Sequence, residues 1–99
     1  MNEIRFEWDN KKATNNISKH GVSFEEATTV FDDINAVLFD DPDHSEDEDR
    51  FILLGKSIKA NMLIVCHCAR EEETVIRIIS ARKATKTESE QYNEFQKGW

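Results

Sequence analysis

The stretch that decides the fold is residues 50–81, RFILLGKSIKANMLIVCHCAREEETVIRIISA. It contains three runs of strand length, at residues 50–56, 62–69 and 74–81, that are rich in Ile, Leu, Val and Phe. Short polar segments near residues 57–61 and 70–73 separate these runs. Because turns this short join antiparallel neighbours, the stretch predicts an antiparallel meander.

The residues before the meander predict one strand and a first helix. Ile4, Phe6 and Trp8 alternate with polar side chains, which is typical of a half-buried strand. Asp9 is placed to cap a helix that runs to about residue 19, and Gly21 is placed as the left-handed residue that ends it.

A capping box predicts a second helix. Ser23 and Glu26 have the required spacing, and Val22 and Ala27 are placed as a hydrophobic staple. A brief strand is predicted at residues 36–39, and either Thr85 with Glu88 or Thr87 with Glu90 could cap a last helix. Helices segregated from a run of strands indicate an α+β fold, with two N-terminal helices and one C-terminal helix packed on a small antiparallel sheet.

Length and composition indicate one domain, residues 1–99, that remains in the cytoplasm. A chain of 99 residues buries enough surface for one core. No signal peptide and no apolar run of membrane-spanning length are visible, so no membrane association is expected. The two cysteines, Cys66 and Cys68, are spaced for neither a disulfide framework nor a zinc site, so a reducing compartment and no metal or other cofactor are expected.

The net charge of −7 is unevenly distributed. Seven carboxylates lie between residues 40 and 49, and the remaining thirteen balance the thirteen Lys and Arg. Residues 74–87, by contrast, contain no acidic residue and four basic ones: Arg77, Arg82, Lys83 and Lys86. This local cationic segment is a candidate surface for binding an anion such as RNA phosphate.

Five stretches together resemble one family. They are FEWD at residues 6–9, KHGVSFEEA at 19–27, VFDD at 30–33, DHSEDEDRF at 43–51 and RIISARKAT at 77–85. In this order and spacing they resemble the BrnT-type toxins, whose fold is similar to that of RelE ribonucleases. The resemblance implies an endoribonuclease toxin that inhibits translation and is neutralised by a ribbon-helix-helix antitoxin. It also implies that the complex contacts operator DNA only through the antitoxin.

Metal-independent RNA cleavage requires cations, a general base and a general acid. Arg77, Arg82, Lys83 and Lys86 are the predicted RNA-binding residues, with both arginines also in the predicted catalytic set, because a guanidinium binds phosphate in a bidentate manner. Lys19 and His20 are predicted catalytic residues through the resemblance, although cations at a helix C-terminus are also favoured by the helix dipole alone.

The remaining predicted catalytic residues are Arg50, Glu48 and His67. Arg50 begins a strand within the matching stretch. Glu48 is the candidate general base in an acidic segment whose default interpretation is a solvated loop, and which could also bind a hard cation. His67 would face the exposed side of the sheet, where an active site could lie, if Cys66 faces the core. A satisfied or exposed histidine without a catalytic role is the default interpretation.

A second hypothesis is a non-catalytic module that binds the antitoxin or acts as a corepressor. The run KTESEQ at residues 86–91 is less basic than the family pattern, which favours this alternative. The ribonuclease hypothesis also carries a condition: it fails if the arginines of the last strand are held by the chain's own carboxylates with no open cationic surface beside them.

Overall fold

The computed structural model describes residues 3–41, 50–72 and 74–97. Its strands are β1 (Arg5–Glu7), β2 (Val37–Asp40), β3 (Arg50–Lys56), β4 (Met62–Arg70) and β5 (Val75–Lys83). Its α-helices are α1 (Asn10–His20), α2 (Phe24–Thr29) and α3 (Lys86–Lys97), and a 3-10 helix (Val30–Asp32) follows α2. Every element predicted from the sequence is present, with bounds that differ by one or two residues.

The five strands form one sheet in the order β1-β5-β4-β3-β2. The pairs β3–β4 and β4–β5 are antiparallel, as predicted from the short turns, and β2 is also antiparallel to β3. The sheet as a whole is mixed, however, because β1 pairs parallel to β5, with Arg5 opposite Val75. No hairpin links these two strands, so nothing in the local sequence required them to be antiparallel. The α+β class is therefore confirmed, and the prediction of a purely antiparallel sheet is wrong.

One face of the sheet, here the inner face, packs against α1, α2 and the 3-10 helix. The helical segment from Val22 to Val30 and the apolar side chains of the sheet form a single buried cluster. The members supplied by the sheet are Leu53, Leu63, Val65, Ile76, Ile78 and Ala81. Phe24 is fully buried, and its ring meets Trp8 edge to face with the ring centroids 5.8 Å apart.

The opposite face, here the outer face, is covered by α3 at one end. Tyr92 of α3 packs with Leu54 and Ile64 in a smaller buried cluster. The Tyr92 hydroxyl donates a hydrogen bond of 2.8 Å to Asp33 Oδ2, which fixes the helix to the segment before β2. Beyond this cluster the outer face carries both cysteines and several charged side chains.

The helix caps predicted from the sequence are confirmed, with one difference. Asp9 accepts hydrogen bonds from the backbone N–H groups of Lys11 and Lys12, and Gly21 adopts the left-handed conformation at φ 71°. Ser23 Oγ accepts from the N–H of Glu26. Because Glu26 instead directs its carboxylate toward the β3–β4 turn, the reciprocal half of the capping box does not form.

The Glu26 carboxylate holds the β3–β4 turn in place. Its Oε2 accepts hydrogen bonds from Ser57 Oγ at 2.7 Å and from Asn61 Nδ2 at 2.8 Å. Burial alone would raise the pKa of Glu26, but these two hydrogen bonds bring the pKa below its ordinary value. A buried carboxylate thus stays ionised and joins α2 to the turn.

Asn16 forms hydrogen bonds with the backbone at the edge of β5, beyond the end of β1. β1 pairs with β5 only as far as Arg77. Further along, Asn16 Nδ2 donates to the carbonyl oxygens of Ala81 and Val22, and the N–H of Ala81 donates to Asn16 Oδ1. A buried side chain of α1 therefore replaces a neighbouring strand and satisfies an otherwise unpaired sheet edge.

In the part of the chain that the structure describes, no helix has both the length and the apolar character needed to cross a bilayer.

Candidate functional site

A β-bulge in β5 places Arg77 and Arg82 on the same side of the sheet. Five residues apart on a regular strand, the two side chains would point to opposite faces. Here Cys66 is opposite Ser80 and His67 is opposite Ile78, so Ile79 is an extra residue on β5. Arg77 is opposite Cys68 and Arg82 is opposite Ile64, and both partners lie on the outer face.

Arg77 belongs to a row of side chains that crosses the outer face. Glu7 on β1 is opposite Arg77 on β5, Arg77 is opposite Cys68 on β4, and Cys68 is opposite Arg50 on β3. Asp41, whose N–H donates to the carbonyl of Arg50, continues the row past β2. Directly opposite residues have Cβ atoms about 5 Å apart. This cross-strand row brings together two of the predicted catalytic residues, Arg50 and Arg77.

Glu7 bridges two guanidinium groups at the β1 end of the row. Its Oε2 lies 3.1 Å from Nη1 of Arg77 and 3.9 Å from Nε of Arg70. A guanidinium has five N–H donors, and in the described residues Arg77 uses one of them, on Glu7. The side chains of Arg77 and Glu7 are 32% and 42% exposed. Arg77 can therefore donate to a further anion without first breaking its ion pair.

Arg82, in contrast, donates to a single carboxylate from both of its terminal nitrogens. Its Nη1 and Nη2 donate to Glu88 Oε1 at 2.8 Å and to Glu88 Oε2 at 2.9 Å, and Nη1 also donates to the carbonyl of Lys83. The bonds from Arg82 lower the pKa of Glu88 to about 2. Glu88 also accepts from the N–H of Thr85, whose hydroxyl accepts from the N–H of Glu88. The capping box of α3 is thus Thr85 with Glu88, and it fixes Arg82 in place.

This ion pair predicts a component of stability that depends on acid pH. The pKa of Glu88 is about 2 in the folded chain against an ordinary value of 4.5, so its stabilising effect is complete above about pH 5 and is lost as the pH falls toward 2. Because Arg82 is 40% exposed, solvent screening reduces the effect to about 1 kcal/mol. Urea unfolding of Glu88→Gln and of the unsubstituted chain should differ by this amount at pH 7 and converge near pH 2. A constant difference across that range would contradict the assignment.

The predicted lysines do not join the row. Lys83 is opposite Leu63, a residue of the inner face, and is therefore on the side of the sheet away from Arg82. Lys86 is exposed at the start of α3. Lys19 and His20 end α1 beyond Asn16, and the structure gives neither of them a hydrogen bond or ion pair among residues 3–41, 50–72 and 74–97.

His67 is buried on the inner face, because it is Cys66 and not His67 that lies on the outer face. It is only 4% exposed and its ring contacts Phe31 and Phe51, with centroids 4.8 and 6.0 Å away. Its Nδ1 lies 3.3 Å from the carbonyl oxygen of Val65. Burial lowers the pKa of His67, so the ring is held neutral on the face opposite the row.

Cys66 shares the outer face but is not a reactive thiol. Its Sγ donates to Asp41 Oδ2 at 3.6 Å. Burial and the neighbouring carboxylate of Asp41 raise the pKa of Cys66 to about 11, so the thiolate that a nucleophile or metal ligand requires is disfavoured. Both cysteines are free thiols.

Glu48 lies outside the described residues, as do the other carboxylates from Asp43 to Asp49. In the described part of the chain, no three His, Cys, Asp or Glu side chains are grouped so that they could hold a metal ion.

Two residues of the site, Glu7 and Arg70, were missed by the sequence reasoning. Glu7 lies in the family-like stretch FEWD at residues 6–9, and its alternation with Phe6 and Trp8 marked it as the polar side of a strand. Its partner could not be inferred, because the pairing of β1 with β5 joins positions 70 residues apart.

Comparison with protein families places the chain in a class: the ribonuclease toxins of type II toxin-antitoxin systems. The family model described as "Ribonuclease toxin, BrnT, of type II toxin-antitoxin system" matches residues 8–88. The chain therefore belongs to the BrnT family, and the resemblance noted in the sequence is confirmed. Membership in a type II family implies an antitoxin partner.

A solved structure supports the fold. The 1.1 Å crystal structure of the Brucella abortus ribonuclease toxin BrnT is similar to this chain, with a TM-score of 0.64 and 21% sequence identity, over 84% of this chain and 99% of that one. Comparison with curated proteins by sequence gave no match.

Proposed function

We propose that this chain is a metal-independent endoribonuclease whose reaction centre is the cross-strand row of the outer face. The supporting observation is the Glu7–Arg77 pair, a partly exposed carboxylate and guanidinium 3.1 Å apart with donors of Arg77 left for a phosphate. The family supports RNA as the substrate. RNA cleavage in the cytoplasm would inhibit translation.

In this proposal Arg77 and Arg50 bind the scissile phosphate from two strands of the sheet. Cys68 separates them in the row, so their Cα positions are two strand spacings, about 10 Å, apart. Long flexible side chains that converge from that separation can contact different oxygens of one phosphate. They would stabilise the additional negative charge that develops on phosphorus in the transition state.

Glu7 would act as the general base. Its carboxylate takes the proton of the ribose 2′-hydroxyl, the 2′-oxygen bonds to phosphorus, and the bond between phosphorus and the 5′-oxygen breaks. The leaving oxygen takes a proton from a general acid, so the products are a 2′,3′-cyclic phosphate and a 5′-hydroxyl. We assign the acid to His20, with Lys19 beside it, on the strength of the family-like stretch at residues 19–27 and not on a contact.

The proposal gives non-catalytic roles to Arg82, Lys83 and Lys86. Arg82 positions the start of α3 through Glu88. Lys83 and Lys86 would contribute long-range attraction for RNA, which is sensitive to salt.

Two matched variants test the general base. Glu7→Gln keeps the size of the side chain and removes the proton acceptor, so the cleavage rate of a synthetic oligoribonucleotide in EDTA should fall by about 10²–10³-fold. Glu48→Gln, made in parallel, is the control because Glu48 is the base predicted from the sequence. If Glu48→Gln abolishes cleavage and Glu7→Gln does not, the assignment to Glu7 is wrong.

The antitoxin in this proposal is a ribbon-helix-helix protein. The complex would reach operator DNA through that protein, because a chain with a net charge of −7 is a poor direct ligand for DNA.

One observation favours the alternative function, a non-catalytic module that binds the antitoxin or acts as a corepressor. Both arginines of β5 are paired with the chain's own carboxylates, Arg82 with Glu88 and Arg77 with Glu7, which meets the first half of the condition under which the ribonuclease hypothesis fails. What supports the ribonuclease proposal is the Arg77 side chain, which is 32% exposed and uses one donor, on Glu7, within the described residues. Expression of the chain alone in a bacterium separates the two functions: growth arrest with loss of RNA supports the enzyme, and normal growth supports the binding module.

A further inference from the structure

An apolar groove crosses the inner face beyond the 3-10 helix. Its volume is about 540 Å³, and its floor includes Phe51, His67 and Ile76, with Phe31 on one wall. It runs across the sheet from Leu38 on β2 to Ile4 just before β1. Leu38 and Ile4 are 57% and 55% exposed, respectively, although both are aliphatic. An apolar surface of this extent that no element of the described chain covers is typical of a binding site.

The shape of the groove selects a helix as its occupant. It lies across all five strands, and four spacings of about 4.8 Å give a length of roughly 19 Å. A helix rises 1.5 Å per residue, so about 13 residues span this length. A strand added to the edge of β2 would reach only Leu38 and leave the rest of the groove open.

One carboxylate borders the groove at its β2 end. Asp40 is directly opposite Phe51, so its side chain is on the inner face, next to the floor of the groove. It is exposed, and the structure pairs it with no cation in residues 3–41, 50–72 and 74–97. A partner with a basic side chain beside its apolar face would complement this end of the groove.

We infer that this groove binds an amphipathic helix of the antitoxin, with aliphatic side chains in the groove and a Lys or Arg side chain facing Asp40. Apolar residues at i, i+3 or i+4, and i+7 of that helix would contact the floor. The inference rests on the toxin-antitoxin part of the proposed function. It does not require cleavage, because the groove and the cross-strand row are on opposite faces of the sheet.

The test uses the purified full chain and the antitoxin encoded by the adjacent reading frame. Leu38→Glu and Ile4→Glu add charge at exposed positions at the two ends of the groove, so the fold is preserved. We expect the dissociation constant, measured by calorimetry, to rise at least 100-fold in the double variant. RNA cleavage by the free variant should equal that of the unsubstituted chain. In cells, the antitoxin should no longer neutralise it.

Ile17→Glu is the matched control, because Ile17 is 51% exposed on α1 and does not line the groove. It should leave the dissociation constant unchanged. Asp40→Asn should slow association and reduce its dependence on salt.

Unchanged affinity in Leu38→Glu with Ile4→Glu would overturn the inference, and so would an equal loss in Ile17→Glu. If cleavage is absent in every form while the groove variants still lose binding, the ribonuclease proposal fails and the docking site stands.

Discussion

Arg77→Ala is expected to lower the rate of RNA cleavage by about 10²–10³-fold, with little change in stability. The variant removes the guanidinium that faces the phosphate in the transition state, and removal of one such group typically lowers the rate of the chemical step by about this factor. The variant also loses the ion pair with Glu7. Because the Glu7 side chain is more than a third exposed, this pair adds little to the free energy of unfolding. Single-turnover cleavage of an oligoribonucleotide, together with urea unfolding, measures both effects.

Arg82→Ala is the informative comparison. It removes the partner of Glu88 and weakens the start of α3, so the free energy of unfolding should fall while the chemical step is retained. Arg77→Lys should recover part of the rate, because it restores charge without the planar donors. If Arg77→Ala cleaves at the normal rate and Arg82→Ala is folded but inactive, the reaction centre lies at Arg82 instead of the cross-strand row.

Asn16→Leu is expected to lower the free energy of unfolding by about 3–5 kcal/mol, a large part of the total for a domain of this size. Leucine is similar in volume to asparagine but makes no hydrogen bonds. The N–H and carbonyl of Ala81 and the carbonyl of Val22 would lose their partner in a buried setting.

Thr14→Ala, an exposed substitution on the same helix, provides the control and should cost well under 1 kcal/mol. Equilibrium urea unfolding of both variants gives the comparison. A loss of less than 1 kcal/mol in Asn16→Leu would mean that the edge of β5 is satisfied in some other way.

The elements that could be predicted from the sequence are those with local signals. Asp9, Ser23 and the Thr85–Glu88 pair bond to residues two or three positions away, so their spacing was sufficient to place the helix starts. The same holds for the meander, where each strand pairs with the next along the chain.

The features that sequence reasoning missed depend on contacts between distant positions. Asn16 and Ala81 are 65 residues apart, and nothing near Asn16 marks it as a substitute for a strand. Glu26 satisfied the pattern of a capping box, yet its carboxylate bonds to Ser57 and Asn61, 31 and 35 positions away. For the same reason the site was predicted only in part: Arg50 and Arg77 were identified, whereas Glu7 and Arg70 were not.

The extra residue in β5 has a consequence for how this protein can change in length. Without Ile79 the side chains of β5 would alternate without interruption. Either the residues before the bulge or those after it would then have to point to the opposite face of the sheet. If the later segment turned, Ala81 would leave the core and the guanidinium of Arg82 would enter it. A one-codon deletion at this point would therefore act on the sheet like several simultaneous substitutions, whereas a similar deletion in a surface turn would alter only the turn.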